Sequence, residues 1–224
     1  MSVIVVSGTD TDVGKTIITA ALSALARSRG ERVAVVKPIQ TGLRRGEPGD
    51  LEEIRRLARV EDVHEFARLA EPLAPATAAR RAGVDLPSIS EMAGRIEQLR
   101  DRDLVLVEGA GGLLVHLDGR GGTLADLALA LDAPVLLVAR AGLGTLNQIA
   151  LTCEALERRR ITCQGIAIGA WPPVPGLAER CNLEDIPTYA DRPLIGWMPA
   201  GASALNPDAF LAAAREALTQ EVLA

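Results

Sequence analysis

The sequence has 224 residues, of which 48% are hydrophobic, 24% are charged and only 2% are aromatic. This length and composition are typical of one globular domain with an aliphatic core. The shortage of aromatic rings argues against nucleic-acid binding by base stacking, and the net charge of -5 argues against general binding to nucleic acid or to anionic membranes.

Cysteine and histidine are both scarce. The three cysteines, Cys153, Cys163 and Cys181, form no C-x-x-C pair, so a reduced, cytoplasmic environment is expected. Only two histidines are present, His64 and His116, which excludes a multi-histidine zinc site. The first residues show no signal-peptide pattern, and the apolar runs are too short to cross a membrane. These features predict a cytoplasmic protein without a membrane partner.

Short apolar runs alternate with amphipathic segments along the chain, and each pattern predicts a different element. From the N-terminus, these are strand 3–7, a helix from residue 17 to a stop at Gly30, strand 32–36, loop 37–49 and helix 50–59. A capping box of Ser88 and Glu91 begins helix 88–100, which precedes strand 103–108, helix 123–131, strand 134–139 and helix 145–159. The last elements are strand 165–169, a loose segment 169–193, strand 194–196 and helix 208–223.

Apolar strands that alternate with helices are typical of a parallel sheet covered on both faces. The sequence therefore predicts a doubly wound α/β fold with a mostly parallel sheet, in a single domain of residues 1–224. In such sheets ligands bind at the carboxyl ends of the strands. Motifs that directly follow predicted strands are therefore the candidates for function.

The strongest functional motif lies between the first predicted strand and the first predicted helix. Residues 8–16 read GTDTDVGKT, which predicts a phosphate-binding loop of the P-loop NTPase fold. Backbone N–H groups and the helix N-terminus would cradle an anion, Lys15 would reach the terminal phosphates, and Thr16 would offer a hydroxyl to Mg²⁺. Five residues separate Gly8 from Gly14, one more than usual. A plain strand-to-helix turn with a solvated lysine is the alternative, which Gly14-Lys15-Thr16 in this context disfavours.

Two further motifs follow predicted strands. Lys37 begins the sequence KPIQTG directly after the second strand, where it would project beside the phosphate loop. Glu108 begins EGAGG after an apolar strand, the place of a metal-binding carboxylate, and the glycines would let the backbone approach a ligand. Taken alone, a solvated lysine and a surface glutamate in a tight turn would explain each motif. Asp50 is a weaker candidate metal ligand, because a helix N-cap would explain it equally well. His116 and the cysteines are interpreted as structural.

Together, these residues resemble the dethiobiotin synthetase family. The family's signature loop is similar to residues 8–16, including the extra residue, and Lys37-Pro38, residues 108–112 and the LGTLN sequence at 143–147 match in the same order. The resemblance implies an enzyme of biotin biosynthesis with ATP as co-substrate, Mg²⁺ as metal and a homodimer as active unit. In the reaction that the resemblance implies, the diamine 7,8-diaminopelargonate would take up CO₂ as a carbamate, which would receive the γ-phosphate. The second amine would then close the urea ring of dethiobiotin, leaving ADP and phosphate.

The resemblance also implies the roles of individual residues. Catalysis would rest on Lys37, Lys15 and Thr11, and the metal would be held by Thr16, Asp50 and Glu108. The carbamate and amine end of the substrate would be bound by Thr11, Lys37, Thr41 and Gly111, and its tail carboxylate by the partner chain's Leu143, Gly144, Thr145 and Asn147. The nucleotide would contact Asp12, Val13, Gly14, Lys15, Thr16, Ile17, Asp50, Glu108, Gly109, Ala110, Gly111, Gly169, Ala170, Trp197, Met198, Pro199, Ala200 and Gly201.

One position departs from the family pattern. An asparagine that reads the adenine base usually follows the strand that ends near Gly169, and Ala170 stands there in this sequence. Alanine has no side-chain amide, so recognition of the base would rest on the backbone or on residues 197–201. We therefore expect that nucleoside triphosphates other than ATP also serve.

Three other classes of protein share part of this pattern. A switch ATPase of the partitioning type has a similar fold, but it typically carries an extra lysine early in the phosphate loop, where this chain has Thr9, Asp10 and Thr11. The cobyrinate-amidating ligases add a glutaminase domain for which this chain is too short. A nucleotide-binding protein that has lost catalysis stays open, although Lys15 and Lys37 are both present.

Overall fold

The computed structural model describes residues 2–219. Its strands, in chain order, are β1 (Ser2–Gly8), β2 (Val33–Thr41), β3 (Val63–Leu69), β4 (Leu104–Gly112), β5 (Val135–Ala139), β6 (Cys163–Trp171) and β7 (Leu194–Pro199). The helices are α1 (Lys15–Ser28), α2 (Asp50–Ala58), α3 (Pro75–Ala82), α4 (Ile89–Glu97), α5 (Leu124–Ala130), α6 (Thr145–Arg158), α7 (Leu177–Ala190) and α8 (Pro207–Ala217). A short 3₁₀ turn, Ala202–Ala204, precedes α8. None of the described helices is long and apolar enough to cross a membrane.

The seven strands form one parallel sheet in the order β3-β2-β4-β1-β5-β6-β7. Helices α1, α2 and α8 bury their apolar residues against one face, and α3 to α7 against the other. The predicted doubly wound α/β fold is confirmed. The order changes direction at β1, which lies between β4 and β5, and a ligand-binding crevice is expected at such a switch point.

The strands β2 and β4 are longer than the sequence predicted. Residues 37–41 continue β2, although they were expected to begin a loop, and the glycine-rich turn after Glu108 is the end of β4. The strand pairing explains both extensions, because β2 continues to pair with β3 as far as Thr41↔Leu69, and β4 pairs with β1 as far as Gly8↔Gly112. The register Val36↔Val107 between β2 and β4 then places Lys37 and Glu108 side by side.

Three elements were absent from the prediction. Strand β3 lies at the sheet edge, where most of its side chains are only half-buried, so the apolar pattern that marks the inner strands is weak. Helix α3 is short and follows β3 after the segment 70–74. Helix α7 occupies the segment 169–193 that was expected to be loose, because Pro187 inside the helix and a weakly amphipathic sequence hide it.

The last helix also ends earlier than predicted. Helix α8 stops at Ala217, because Leu218 leaves the helix to form an antiparallel bridge with Gly196 of β7. Thr219 then donates its backbone N–H to the carbonyl of Ile195. The remainder of the predicted helix, residues 220–223, lies outside the described residues. The capping box of Ser88 and Glu91 at the start of α4 is confirmed.

Candidate active site

The phosphate-binding loop joins β1 to α1 in a conformation that only certain residues adopt. Gly14 caps α1 with a φ of 93°, in the left-handed region that favours glycine. A Cβ on Gly14 would lie 2.7 Å from the Cα of Gly169, so the loop packs tightly on the end of β6. Asp12 also has a positive φ, 56°. The ion pair of Asp10 with Arg140, at 2.8 Å, ties the loop to the segment after β5.

Lys15 lies under this loop. Its ammonium donates to the carbonyl of Asp10 at 2.9 Å, and the residue is only 7% exposed. Burial, together with the nearby charge of Lys37, lowers the pKa of Lys15 below its usual range. These two residues are the only lysines in the sequence, since every other basic residue is arginine. The compact, strongly hydrated ammonium group of lysine therefore occurs in this chain only at this site.

Lys37 is the centre of a buried ionic cluster. Its Nζ donates to Asp50 Oδ2 at 2.5 Å, to Glu108 Oε1 at 2.8 Å and to the carbonyl of Gly109 at 2.9 Å. An ammonium has three donors, so all of them are used. Asp50 is the first residue of α2, and Gly49 rather than Asp50 is the N-cap. The carboxylate of Asp50 is thus directed to Lys37, and capping does not explain it.

The charged groups in this cluster shift one another's pKa values. Burial opposes the charge on Lys37, but Glu108 and Asp50 outweigh it and raise the pKa of Lys37, so this ammonium stays charged. Burial likewise opposes the charge on Asp50, yet Lys37 holds the pKa of Asp50 below its usual range. Burial raises the pKa of Glu108, with the Asp50 carboxylate acting in the same direction. Two carboxylates held this close attract a cation strongly.

Three oxygen donors converge beside the phosphate-binding loop. Thr16 donates its hydroxyl to Glu108 Oε1 at 2.9 Å, and Asp50 reaches the same cluster through Lys37. The other carboxylate oxygen, Glu108 Oε2, is buried without a hydrogen-bond partner among the described residues. In the described part of the chain, no three acidic, cysteine or histidine side chains gather as a complete metal site. One or two carboxylates with a hydroxyl are what Mg²⁺ takes when phosphates complete its shell, so these residues fit that metal.

A cleft of about 750 Å³ opens over this cluster, at the carboxyl ends of β1, β2 and β4. All of the residues predicted for catalysis, metal binding and the amine end of the substrate line it: Thr11, Lys15, Thr16, Lys37, Thr41, Asp50, Glu108 and Gly111. Three residues predicted only as nucleotide contacts, Asp12, Gly14 and Ala110, line it as well. Gly111 has a φ of 72°, and a Cβ on it would lie 3.7 Å from Thr11 Oγ1. The phosphate-binding loop and the end of β4 therefore face each other across the cleft.

Sequence reasoning missed several residues of this cleft, namely Gln40, Pro72, Leu73, Ala74, Pro75 and Val115. Gln40 is buried, and its Oε1 accepts the backbone N–H of Asp50 at 3.2 Å, so it helps to hold the start of α2. A polar residue within the apolar β2 sequence was the available signal for Gln40. The segment 72–75 follows β3, and it was missed because that strand and α3 were missed.

Other predicted site residues lie outside the cleft lining. Val13, Ile17 and Gly109 pack behind the loop and the end of β4. Gly169 and Ala170 lie directly before the end of β6 at Trp171, and the segment 197–201 includes the end of β7 and the turn that follows it. The rings of Trp171 and Trp197 pack at a centroid distance of 5.2 Å between these two strand ends.

The predicted tail-binding residues form a separate group at the start of α6. Gly144 is the N-cap of this helix, and Thr145 is its first residue. Leu143 is 90% exposed and Asn147 is also exposed, whereas Thr145 is fully buried. None of these residues lines the cleft of the same chain.

The fold and the loop define a class of protein. A parallel α/β sheet with a phosphate-binding loop after β1 is a P-loop NTPase, and residues 2–207 match the family model described as an AAA domain. The MinD cell division protein of Aquifex aeolicus shares the fold with a TM-score of 0.57 at 16% identity, over 96% of this chain and 96% of that chain. Chloroplast FtsY from Physcomitrella patens gives a TM-score of 0.55 at 18% identity, over 95% and 64%.

Closer relatives give the family. The chain is 56% identical over 219 residues to the ATP-dependent dethiobiotin synthetase of Parafrankia sp. (strain EAN1pec), which covers 97% of this chain and 92% of that protein. It is 50% identical to the same enzyme of Rhodococcus erythropolis over the full length of both proteins. The chain belongs to the ATP-dependent dethiobiotin synthetase family. The resemblance predicted from the motifs is confirmed, and a partitioning-type switch ATPase is not favoured, since MinD shares only the fold.

Proposed function

We propose that this protein makes dethiobiotin from 7,8-diaminopelargonate, CO₂ and ATP, releasing ADP and phosphate. The observation that carries the proposal is the convergence of Lys15, Lys37, Thr16 and two carboxylates on one cleft beside the phosphate-binding loop. The family relationship indicates which reaction to expect. The two lysines and the metal-binding groups that line one cleft support it, because the reaction needs positive charge beside the phosphates.

Transfer of the γ-phosphate to a carbamate brings two anions together, so cations must offset their repulsion. Lys15 is positioned at the phosphate-binding loop, and Lys37 lies on β2, where Glu108 links it to Thr16 of α1. Both lysines line the same cleft. Lys15 would contact the β- and γ-phosphates, and Lys37 would contact the carbamate. Both ammonium groups are held by protein oxygens before substrate arrives, which reduces the reorganisation needed during the reaction.

The protein needs no nucleophile of its own, because the substrate brings two amines. Neither histidine lines the cleft: His64 bonds to Asp62 at 2.8 Å at the sheet edge, and His116 bridges to Thr123. Thr11 at the loop tip and Thr41 at the end of β2 line the cleft and offer hydroxyl groups to the amine end of the substrate.

Mg²⁺ is part of the proposal, with Thr16, Asp50 and Glu108 as its ligands together with the phosphates. The bound ion would neutralise phosphate charge. The buried, unpartnered Oε2 of Glu108 supports this assignment, because an orphaned carboxylate oxygen is costly unless a ligand completes it. Lys37 bonds the same two carboxylates, so the ammonium and a bound metal would share these ligands.

A homodimer is also part of the proposal, with the tail carboxylate bound at the start of the partner chain's α6. Large apolar side chains are exposed in and around α6 and α7: Leu143 (90%), Leu151 (59%), Val174 (86%), Leu177 (72%) and Tyr189 (57%). Helices α6 and α7 pack against each other, so we assign the dimer interface to this part of the surface. The Oγ1 of Thr145 is buried without a hydrogen-bond partner among the described residues. This hydroxyl and the positive end of the α6 dipole are consistent with an anion bound at the start of the helix.

The nucleotide base would lie between the ends of β6 and β7. Ala170 offers no side-chain amide there, and the nearby Trp171–Trp197 pair provides apolar surface without a base-specific hydrogen-bond pattern. We therefore propose that the enzyme accepts ATP together with other nucleoside triphosphates. A single domain of residues 1–224 and a cytoplasmic location complete the proposal.

The test is phosphate release from Mg²⁺ and ATP with bicarbonate, measured with and without 7,8-diaminopelargonate, with the product identified by mass. We expect release that depends on the diamine, and a product one CO₂ heavier and one water lighter than the substrate. Phosphate release at the same rate with and without the diamine would refute the proposal and indicate a switch ATPase. A Glu184→Gln variant, altered on an exposed position of α7, provides a control preparation with unchanged activity.

A further inference from the structure

The turn between β5 and α6 determines where the start of α6 lies. Strand β5 ends at Ala139, and the helix begins after Gly144, which has a φ of 92°. Within the turn, Thr145 donates its backbone N–H to the carbonyl of Gly142 at 3.3 Å. This start of α6 is the part of the molecule to which the proposed function assigns the substrate's tail carboxylate.

One buried side chain of α7 holds this turn. Asn182 is 5% exposed, and its Nδ2 donates to the carbonyl of Ala141 at 2.7 Å and to that of Gly142 at 3.3 Å. Asn182 shares one face of the helix with Ile186 and Ala190, which are also buried. An amide at a core position of a helix is costly unless its hydrogen bonds are made. Here the Asn182 amide donates a hydrogen bond to the carbonyl oxygen of Ala141, so the hydrogen-bonding needs of both groups are met inside the protein.

The neighbouring polar group of α7 does not replace Asn182. Glu179 lies one turn earlier and reaches the same turn, because a Cβ on Gly142 would be 3.3 Å from its Oε1. A carboxylate accepts hydrogen bonds and does not donate them, so Glu179 cannot satisfy the two carbonyl oxygens. The amide of Asn182 is therefore the side-chain donor that holds the turn, in addition to the backbone N–H of Thr145.

We infer that Asn182 is a positioning residue for the substrate's tail carboxylate. It anchors the carbonyls of Ala141 and Gly142, and thereby sets the direction in which the first N–H groups of α6 and the side chain of Asn147 are presented. The inference rests on the proposed function, because that function places the tail carboxylate at α6. Asn182 does not line the catalytic cleft, so its effect should be confined to the tail.

The first test is Asn182→Asp, which keeps the shape of the side chain. The variant replaces the NH₂ group that donates to Ala141 and Gly142 with an oxygen that can only accept hydrogen bonds. We expect the KM for 7,8-diaminopelargonate to rise about tenfold, which corresponds to about 1.4 kcal/mol of lost binding. The KM for ATP should stay at the wild-type value. Because KM does not depend on how much enzyme is folded, a partial loss of folded protein would not produce this pattern. Asn182→Ala provides a second variant if the aspartate does not fold, and Glu184→Gln is the matched control on the same helix.

A diamine without the tail carboxylate separates positioning from a general structural role. Wild type and Asn182→Asp should show the same KM for this truncated substrate, since the interaction that Asn182 supports is then absent. An equal rise in KM for the full and the truncated diamine would overturn the inference. So would an unchanged KM for the full substrate in both Asn182 variants.

Asn147→Ala distinguishes failure of this inference from failure of the proposed function. If Asn147→Ala raises the KM for the full diamine while Asn182→Asp does not, the tail site stands and the role of Asn182 is refuted. If neither variant changes that KM, the tail site at α6 is itself refuted, and the inference falls with it.

Discussion

Replacing Lys37 with methionine removes the charge at the centre of the active-site cluster and keeps most of the side-chain volume. The ammonium of Lys37 makes three hydrogen bonds of 2.5, 2.8 and 2.9 Å, and its side chain is 4% exposed. Lys37→Met leaves Asp50 and Glu108 facing each other without the ammonium that bonds both of them. The variant therefore tests both the electrostatics of the fold and the chemistry of the site.

Breaking a buried ion pair by removing one partner costs about 3–5 kcal/mol. We expect the lower end, about 3 kcal/mol, because the Asp50 side chain remains 31% exposed and because Glu108, whose pKa burial already raises, takes up a proton. For a chain of this length each kcal/mol lowers Tm by about 2–4 °C, so the loss should be about 6–12 °C. Turnover should fall by at least about 10²–10³-fold, with nucleotide binding largely retained.

The assay is thermal unfolding in EDTA and then with Mg²⁺ and nucleotide, together with a turnover measurement. The gap in Tm between wild type and Lys37→Met should narrow with Mg²⁺, because the metal neutralises the same carboxylates. Adding Asp50→Asn to Lys37→Met should recover part of the lost stability by removing an uncompensated charge. Normal turnover, or stability effects of the two substitutions that simply add, would refute the reasoning about this cluster.

Further predictions concern the loop, the acid stability and the nucleotide. Gly169→Ala places a Cβ 2.0 Å from the backbone oxygen of Val13, so displacement of the phosphate-binding loop should lower kcat/KM for ATP about 10²-fold in steady-state kinetics. Gly94→Ala, at an exposed helix position with open space, should keep that activity and raise Tm by about 2–4 °C. The hydrogen bond from Arg32 lowers the pKa of Asp103 to about 2, so its stabilisation exists above the unfolded pKa near 3.8 and disappears as pH falls toward 2. The free energy of unfolding of Asp103→Asn, measured in urea, should be lower than that of wild type above pH 3.8. This difference should shrink as pH falls toward 2. ATP, GTP, CTP and UTP at equal concentration should support turnover rates of the same order.

Each of these predictions has an outcome that contradicts it. Wild-type kinetics for Gly169→Ala would mean that the contact with the loop is not essential. A deficit of Asp103→Asn that persists unchanged at pH 2 would show that the ion pair with Arg32 does not cause the acid dependence. A large rate advantage for ATP would mean that the base is read in spite of Ala170.

Features encoded by consecutive residues were predictable from the sequence. The phosphate-binding loop is one short segment in which Gly14, Lys15 and Thr16 act through local geometry, so the motif alone locates it. The inner strands are continuous apolar runs that predict a parallel sheet, and the sheet has that arrangement. Lys37 and Glu108 were identified because they directly follow such runs.

Features that depend on which elements become neighbours were not predictable in the same way. Edge strand β3 is only half-buried, so its pattern is weak, and the cleft residues 72–75 that follow it were missed. Helix α7 was mistaken for a loop, because the packing that stabilises it is tertiary and Pro187 interrupts its sequence pattern. Asn182 accordingly gave no signal, since its partners are two carbonyls 41 and 40 residues earlier in the chain.

The sequence by itself therefore determined the chemistry available to this protein: a phosphate-binding loop, two lysines and two acidic groups at strand and helix ends. Only the tertiary structure decided how that chemistry is assembled. The strand order places β2 beside β4, so that Lys37 comes within hydrogen-bond distance of Glu108, and the start of α2 brings Asp50 to the same ammonium. The physical reason is that a hydrophobic pattern specifies which side of an element is buried, whereas strand order and register arise from packing between distant parts of the chain.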